Sequence, residues 1–368
     1  MPKLHLAVFF GGRSGEHEVS LMSARSVLET LDRDKYQVFQ VGITHDGEWF
    51  TGDDAIGAFE RGDTRGLEAA TLLPEPGVSG LYVRAEDSRL SKIADLDLAV
   101  PILHGSFGED GTIQGLFEMV DLAYVGGGVL ASSVAMDKGL FKWLMRAHQI
   151  PVLEFAILDA AGLETDIDPA LDRAEAVADY PLFVKPANIG SSVGLSKVRN
   201  RADLVEGLME AARYDRRIIV ERGIEAREIE VGVLGNEDPH ASVPGEIIPS
   251  DEFYSYRAKY IDDSSELRIP APIDIETTDE ARRMAVEAYK AIDGAGMARV
   301  DLLLEKDTET LYLNEINTIP GFTQISMYPK LWEASGLPYP ELMDRLIGLA
   351  QARKAQNDSL VRTYEGAS

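Results

Sequence analysis

The sequence predicts a mixed α/β protein, with an N-terminal open parallel-sheet domain followed by α+β blocks. Three observations carry this reading. An apolar strand over residues 4–10 runs into a glycine turn at 11–15 and then a helix over 16–31. A second apolar stretch, 95–103, ends in the loop "HGSFGEDG" and is followed by a short helix, 112–120. The C-terminal half carries short apolar runs separated by turns and closes on a hairpin, 300–304 with 311–316.

Each element has a local reason. The first helix puts Val19, Met22, Val27 and Leu28 at inward spacing. Strand–loop–helix alternation places sites at the carboxyl ends of strands. Residues 52–91 are acidic and Gly-rich, and their pattern does not determine an element. "GGGV" at 126–129 reads as a joint, and the helix after it runs to about His148, stopped before Pro151. Strands are expected at 152–158, 182–185, 194–198 and 217–221, with helices at 168–178 and 202–214. Strands at 228–234 and 245–248, a Tyr-rich loop, a helix at 278–292, the hairpin, and helices at 329–333 and 340–356 complete the chain. The domain division that follows is 1–127, 128–222 and 223–368.

Composition narrows the function. The chain has 368 residues, 45% hydrophobic and 27% charged, and a formal net charge of −26 from 36 basic and 62 acidic residues. Such a balance argues against nucleic acid and anionic membrane surfaces as partners. With no cysteine, disulfides, thiolate metal sites and cysteine nucleophiles are excluded. The start reads as a buried strand and not a signal peptide, and no apolar run approaches the ~20 residues of a membrane span. The expected compartment is the cytoplasm.

The hairpin carries an oddity. Arg299, Asp301 and Leu303 share one strand face; Leu311, Leu313, Glu315 and Asn317 share one on the partner. A turn near Thr308 opposes Asp301 to Glu315 and Leu303 to Leu313. Opposed acids on one face repel. They are either open to water or arranged around a hard cation such as Mg²⁺, which takes one or two carboxylates plus substrate phosphates. "FVKPANIGSSVGLSKV" (183–198) supplies the phosphate side: a strand ending at Lys185, then a Gly/Ser hairpin whose backbone N–H groups and hydroxyls suit an anion. It lacks the spacing of a P-loop. Lys138 in "MDKGLFKWLM", and Glu221 and Glu228 in "IVERGIEAREIEV", read alone as surface charges or as parts of a ligand site at a domain joint. Glu16 breaks the dinucleotide-binding pattern of "FFGGRSGEHEVS" and could receive an ammonium group or pair with its helix N-terminus. His104 either caps a turn or meets a ligand, with Glu109 near enough to orient it.

Taken together, the motifs resemble one family. "GGRSGEHEVSL", "LHGSFGEDGTIQG", "AMDKGLFK", "VKPANIGSSVG", "IVERGIEAREIEV", "YSYRAKY", "ARVDLLL" and "NEINTIPGFTQISMYP" occur in the order of the D-alanine–D-alanine ligases, ATP-grasp enzymes of peptidoglycan precursor synthesis, over roughly residues 3–350. The resemblance implies a three-domain ATP-grasp fold with ATP between the central and C-terminal domains. It implies that Lys138, Lys185 and Lys259 meet the phosphates and that Ser191 and Ser192 lie in the closing hairpin. Glu221 and the backbone at Arg222 and Ile224 would meet adenine, and Glu228 the ribose. Asp301, Glu315 and Asn317 would hold two Mg²⁺ (or Mn²⁺) ions, Glu315 shared between them. Glu16 and His104 would contact the first of two D-alanines, while Glu16, Ser191 and Tyr260 form a trio that shuts the loop. Arg299 and the Gly321 N–H would stabilise the oxyanion, and Ser326 with the Met327 backbone would take the second substrate's carboxylate. A homodimer is implied as well.

Two departures stand out. Gln324 occupies a position expected to hold a small hydroxyl residue, and Arg222 one where Lys is common. Sister ligases join D-alanine to D-lactate or D-serine. Ester-forming ones carry a His where Tyr260 stands here, so the resemblance favours dipeptide synthesis.

Overall fold

The structure is a computed structural model that describes residues 2–78, 80–190, 193–248 and 266–361. These residues form three sheets. In the first, Leu4–Gly11 lies between Tyr36–Ile43 and Leu98–Ile102, parallel to both, and Ala123–Tyr124 extends the parallel set. Leu6, Val8 and Phe10 enter one core and Ala7 and Phe9 another. A strand covered on both faces reads as a continuous apolar run, as the sequence does here. The undetermined stretch, 52–91, supplies Glu68–Thr71, Leu81–Arg84 and the start of Leu90–Ala94; together with Trp49–Thr51 just before it, these continue the sheet as an antiparallel meander. The first helix spans His17–Thr30. Met22, expected inward, is exposed instead: it shares the outer stripe with Glu18, Arg25 and Glu29, at helical spacing.

The second sheet is antiparallel, in the order Ser196–Val198, Leu182–Pro186, Arg217–Arg222, Phe155–Asp159. Leu171, Leu204 and Leu208 from the helices Asp168–Glu175 and Arg201–Ala212 fill its core. The third sheet runs Glu266–Arg268, Gly245–Ile248, Ala226–Leu234, Met297–Glu305, Leu311–Asn317, with the helix Ile275–Ala291 supplying buried residues to its core. The long helix expected after the glycine joint is two, Val129–Met136 and Lys138–Ala147. Asp137 breaks it: its backbone is extended, and its carboxylate accepts from the Leu140 N–H as an N-cap. The last helix, Tyr339–Asp358, returns to the first sheet, burying Leu342, Leu346 and Ile347 in one cluster with Leu6 and Val8.

Candidate active site

The hairpin is built on Met297–Glu305 and Leu311–Asn317. Asp301 faces Glu315 and Arg299 faces Asn317, as the alternation predicts. The register then shifts between Asp301 and Leu302, so Leu302 meets Leu313 and Leu303 meets Tyr312, not Leu313. Asn314 is the extra residue of a bulge. Leu311, Leu313 and Ile316 consequently stay in the core while Tyr312, Glu315 and Asn317 are only partly buried on the other side. The expectation that Leu311 and Leu313 share a face with Glu315 is therefore corrected. Leu313 and Glu315 are two residues apart on opposite faces, and only a bulge allows that.

Arg299 holds the acids together. Its guanidinium donates to both Asp301 oxygens, at 2.7 and 2.6 Å, and its Nε lies 3.0 Å from Glu230 Oε2. Glu230, on Ala226–Leu234 directly opposite Asp301, is buried. The Asn317 Nδ2 donates to Asp301 at 3.0 Å, and Lys138 Nζ stands 3.7 Å from Glu315. The same lysine donates to the Ile189 carbonyl at 2.9 Å, tying the metal-type hairpin to the start of the glycine hairpin. Hard oxygen donors on adjacent strands, beside a lysine, fit Mg²⁺ that arrives with a phosphate. Among the described residues no group of three or more His, Asp or Glu side chains closes on one point, so the protein alone offers a partial ligand set.

Lys185 lies on Leu182–Pro186, beside Arg217–Arg222. Its Nζ is 2.5 Å from Glu221 Oε2, and Lys142 Nζ is 2.6 Å from Glu221 Oε1. Burial works against the Glu221 charge, but the two lysines outweigh it and hold its pKa down to about 2. Burial also opposes the charge on Lys185, and Glu221 with Glu315 overcomes it, leaving the lysine's pKa raised. Burial prevails at Lys142, whose pKa is lowered. Arg222 pairs with Glu154 at 2.7 Å and reaches Glu305 at 3.3 Å. Lys138, Lys185, Glu221, Arg222, Ile224, Glu228, Asp301 and Glu315 all line one cleft of about 650 Å³ between the second and third sheets.

A smaller space of about 50 Å³ adjoins it, lined by Glu16, Gly105, Glu109, Arg299 and Asn317, and sharing Lys138, Gly190 and Glu315 with the cleft. Glu16 sits against Gly105 and Gly190; a Cβ on Gly105 would strike its carboxylate. His104 is 4% exposed and stands behind this wall. Its Nδ1–H donates to the Ile319 carbonyl and its Nε2 accepts from Ser23 Oγ, each at 3.0 Å. Burial lowers its pKa, consistent with a neutral ring satisfied on both sides. Glu109 does not orient the ring. Its two oxygens accept from the Gly105 and Ile319 N–H groups, at 2.9 and 3.0 Å. The Phe322 N–H donates to Ser23, so Ser23, His104 and Glu109 grip the backbone on both sides of Gly321. Ser326 accepts from the Thr323 N–H at 3.0 Å and precedes the helix Met327–Ala334; the Met327 side chain is buried with Ile247 and Leu331. Gln324 is exposed on that turn. Ser191, Ser192, Lys259 and Tyr260 lie outside the described residues.

Family models decide the kinship. The model described as the D-ala D-ala ligase N-terminus matches residues 5–127, and that of the D-ala D-ala ligase C-terminus matches 144–348. The chain belongs to the D-alanine–D-alanine ligase family. Its relatives in that family include the D-alanine--D-alanine ligase of Thermoanaerobacter sp. (strain X514), 50% identical over 95% of this chain and 97% of that protein. The one from Caldicellulosiruptor bescii is 47% identical over the full length of both. Among solved structures, the D-alanine-D-alanine ligase from Coxiella burnetii matches with a TM-score of 0.83 at 36% identity, over 99% of each chain. The VanG D-Ala:D-Ser ligase from Enterococcus faecalis matches at 0.84 and 34%, over 95% of this chain and 100% of that one. The fold is thus the ATP-grasp architecture of these ligases. Reading the sequence alone missed charged residues at the site, among them Glu230 and Lys142. Glu230 follows Glu228 by one strand period, and Lys142 follows Lys138 by one helical turn, so each had a periodic cue.

Proposed function

We propose that this chain is an ATP-dependent ligase that joins two D-alanines into D-alanyl-D-alanine for peptidoglycan precursors, releasing ADP and phosphate. One observation carries the assignment of the site. The cleft and the small chamber share Lys138, Gly190 and Glu315, so a γ-phosphate in one would meet a substrate carboxylate in the other. In the first step the carboxylate of one D-alanine attacks the γ-phosphate, giving an acyl phosphate and ADP. The amine of the second then attacks the carbonyl, and phosphate leaves. Such chemistry is mostly positioning and charge neutralisation.

The residues divide the work. Glu16 receives the ammonium group of the first D-alanine, and Lys138 and Lys185 hold phosphate oxygens. Glu221 with the Arg222–Ile224 backbone takes adenine, and Glu228 the ribose. Arg299 and the Gly321 N–H face the developing oxyanion, while Ser326 and the Met327 N–H receive the acceptor's carboxylate. His104, also expected at the first D-alanine, holds the Ile319 carbonyl of the backbone that carries Gly321. Ser191, Ser192, Lys259 and Tyr260 retain the hairpin, phosphate and loop-closing roles inferred from the family. Asp301, Glu315 and Asn317 would hold Mg²⁺ or Mn²⁺, two ions sharing Glu315, and that metal would neutralise phosphate charge. The finer proposals are a three-domain division at 127 and 222, a homodimer and a cytoplasmic location.

A coupled ADP-release assay offering D-alanine, D-lactate and D-serine in turn tests this, with products resolved by mass. D-Alanine should support turnover and yield the dipeptide. Glu315→Gln should abolish it while leaving the circular dichroism and melting curve intact. A Glu315→Gln enzyme near wild-type rate would overturn the metal assignment, and a predominant depsipeptide would overturn the dipeptide assignment.

A further inference from the structure

Lys142 is a fully buried lysine to which the reaction above gives no task. It lies on the helix Lys138–Ala147, one turn after Lys138, with its side chain 0% exposed. It does not line the nucleotide cleft. It reaches Glu221 from behind, 2.6 Å from one carboxylate oxygen, while Lys185 holds the other at 2.5 Å from the cleft side. Burying an ammonium group costs several kcal/mol before its attractions are counted. Neutralising Glu221 does not require it, because Lys185 alone would complete a one-to-one pair. Two cations on one carboxylate leave one positive charge in excess, and the only member of the three beside Glu221 that faces the cleft is Lys185.

We infer that Lys142 is a positioning residue for phosphate binding: by taking up half of Glu221, it leaves Lys185 with net positive charge to offer the nucleotide. Without Lys142, Lys185 and Glu221 would close into a neutral pair, and the polyphosphate would meet a wall with no charge at that point. The need is acute in a chain of net charge −26, which repels polyphosphates at long range. Glu315, which also draws on Lys185, adds to the demand for a second cation behind Glu221. This inference rests on the nucleotide reading of the cleft.

The test is a double-mutant cycle on the full chain, with affinities for ADP and for adenosine measured by calorimetry in the presence of Mg²⁺. The readout is the ratio of the two affinities, which isolates the phosphates from the base. Lys142→Met should lower that ratio about 10- to 100-fold, the scale of one charge-assisted hydrogen bond. Glu221→Gln placed on Lys142→Met should restore most of it, since removing the carboxylate frees Lys185. Lys142→Arg, which keeps a cation on Glu221, should hold the ratio within about threefold of wild type, and it carries the test if Lys142→Met fails to fold. If Lys142→Met leaves the ratio unchanged, or if the double variant is worse than either single one, Lys142 is structural and the inference fails. A wild-type chain that binds adenosine nucleotides not at all would overturn the nucleotide reading itself.

Discussion

Glu109 shows how one partly buried carboxyl can join two parts of the chain. Its oxygens accept from the Gly105 N–H, in the loop after the strand Leu98–Ile102, and from the Ile319 N–H just before Gly321. Burial pushes its pKa up to about 8, helped by the Glu16 charge and opposed by those two N–H donors and by Arg299. The folded value lies above the unfolded one of about 4.3. The folded protein therefore binds the extra proton, and the resulting stability is lost as pH rises through the folded pKa. His104 has the opposite slope, but only below its ordinary value of about 6.5, since its pKa is lowered. The window from about 6.5 to 8 thus isolates Glu109. Urea midpoints of the wild type and Glu109→Gln, taken at half-unit steps, should converge across that window. A difference independent of pH would mean that Glu109 is ionised throughout.

The helix Lys138–Ala147 carries both Lys138 and Lys142 into the site, so its start fixes two charges at once. Asp137 sets that start twice over: it caps the Leu140 N–H at 2.9 Å and pairs with Arg217 on the neighbouring strand. Asp137→Asn keeps a capping oxygen and loses the charge; Asp137→Ala loses both. The Ala variant should be less stable than the Asn variant by about 1 kcal/mol, the usual worth of an N-cap, as read by urea unfolding. Equal stabilities would show the cap contributes nothing. This element also marks a limit of sequence reading. Periodicity carried one helix through 129–148, because a single aspartate in an apolar-periodic run does not announce a break. The hairpin shows the reverse. Alternation placed Asp301 opposite Glu315 correctly, yet could not show that Asn314 is skipped, since a bulge is decided by which neighbours need the core. The helical spacing from Lys138 put Lys142 on the same face, but its burial depends on Glu221, on a strand far along the chain, and spacing does not show that.

At the scale of the molecule, the sequence-order blocks and the packed cores do not coincide. The strand Leu90–Ala94, mostly exposed at a sheet edge, left no alternation to read. Conversely, the last helix belongs in sequence to the third block but packs on the first sheet, where Arg353 lies over the Tyr124 ring at 4.2 Å and donates to the Tyr124 carbonyl at 3.2 Å. One buried cluster includes Leu6, Val8 and Val100 of the first sheet, Phe322 and Trp332, and Leu342, Leu346 and Ile347 of this helix. The segment bearing Gly321 is therefore held from two directions, by the polar grip of Ser23, His104 and Glu109 and by this apolar core. If the cluster is one cooperative unit, damage at its C-terminal edge must be felt in the first sheet. Leu346 is fully buried there, and Leu346→Ala should cost about 2–5 kcal/mol through lost burial and the cavity left behind. The tryptophans supply separate reporters: Trp49 on the first sheet, Trp332 inside the cluster, and Trp143 on the helix Lys138–Ala147. In single-tryptophan variants retaining Trp49 or Trp332, Leu346→Ala should lower both urea midpoints by the same amount. A drop at Trp332 with Trp49 unmoved would show that the first sheet folds independently of the chain's last helix, and that the shared cluster is a contact between separate units.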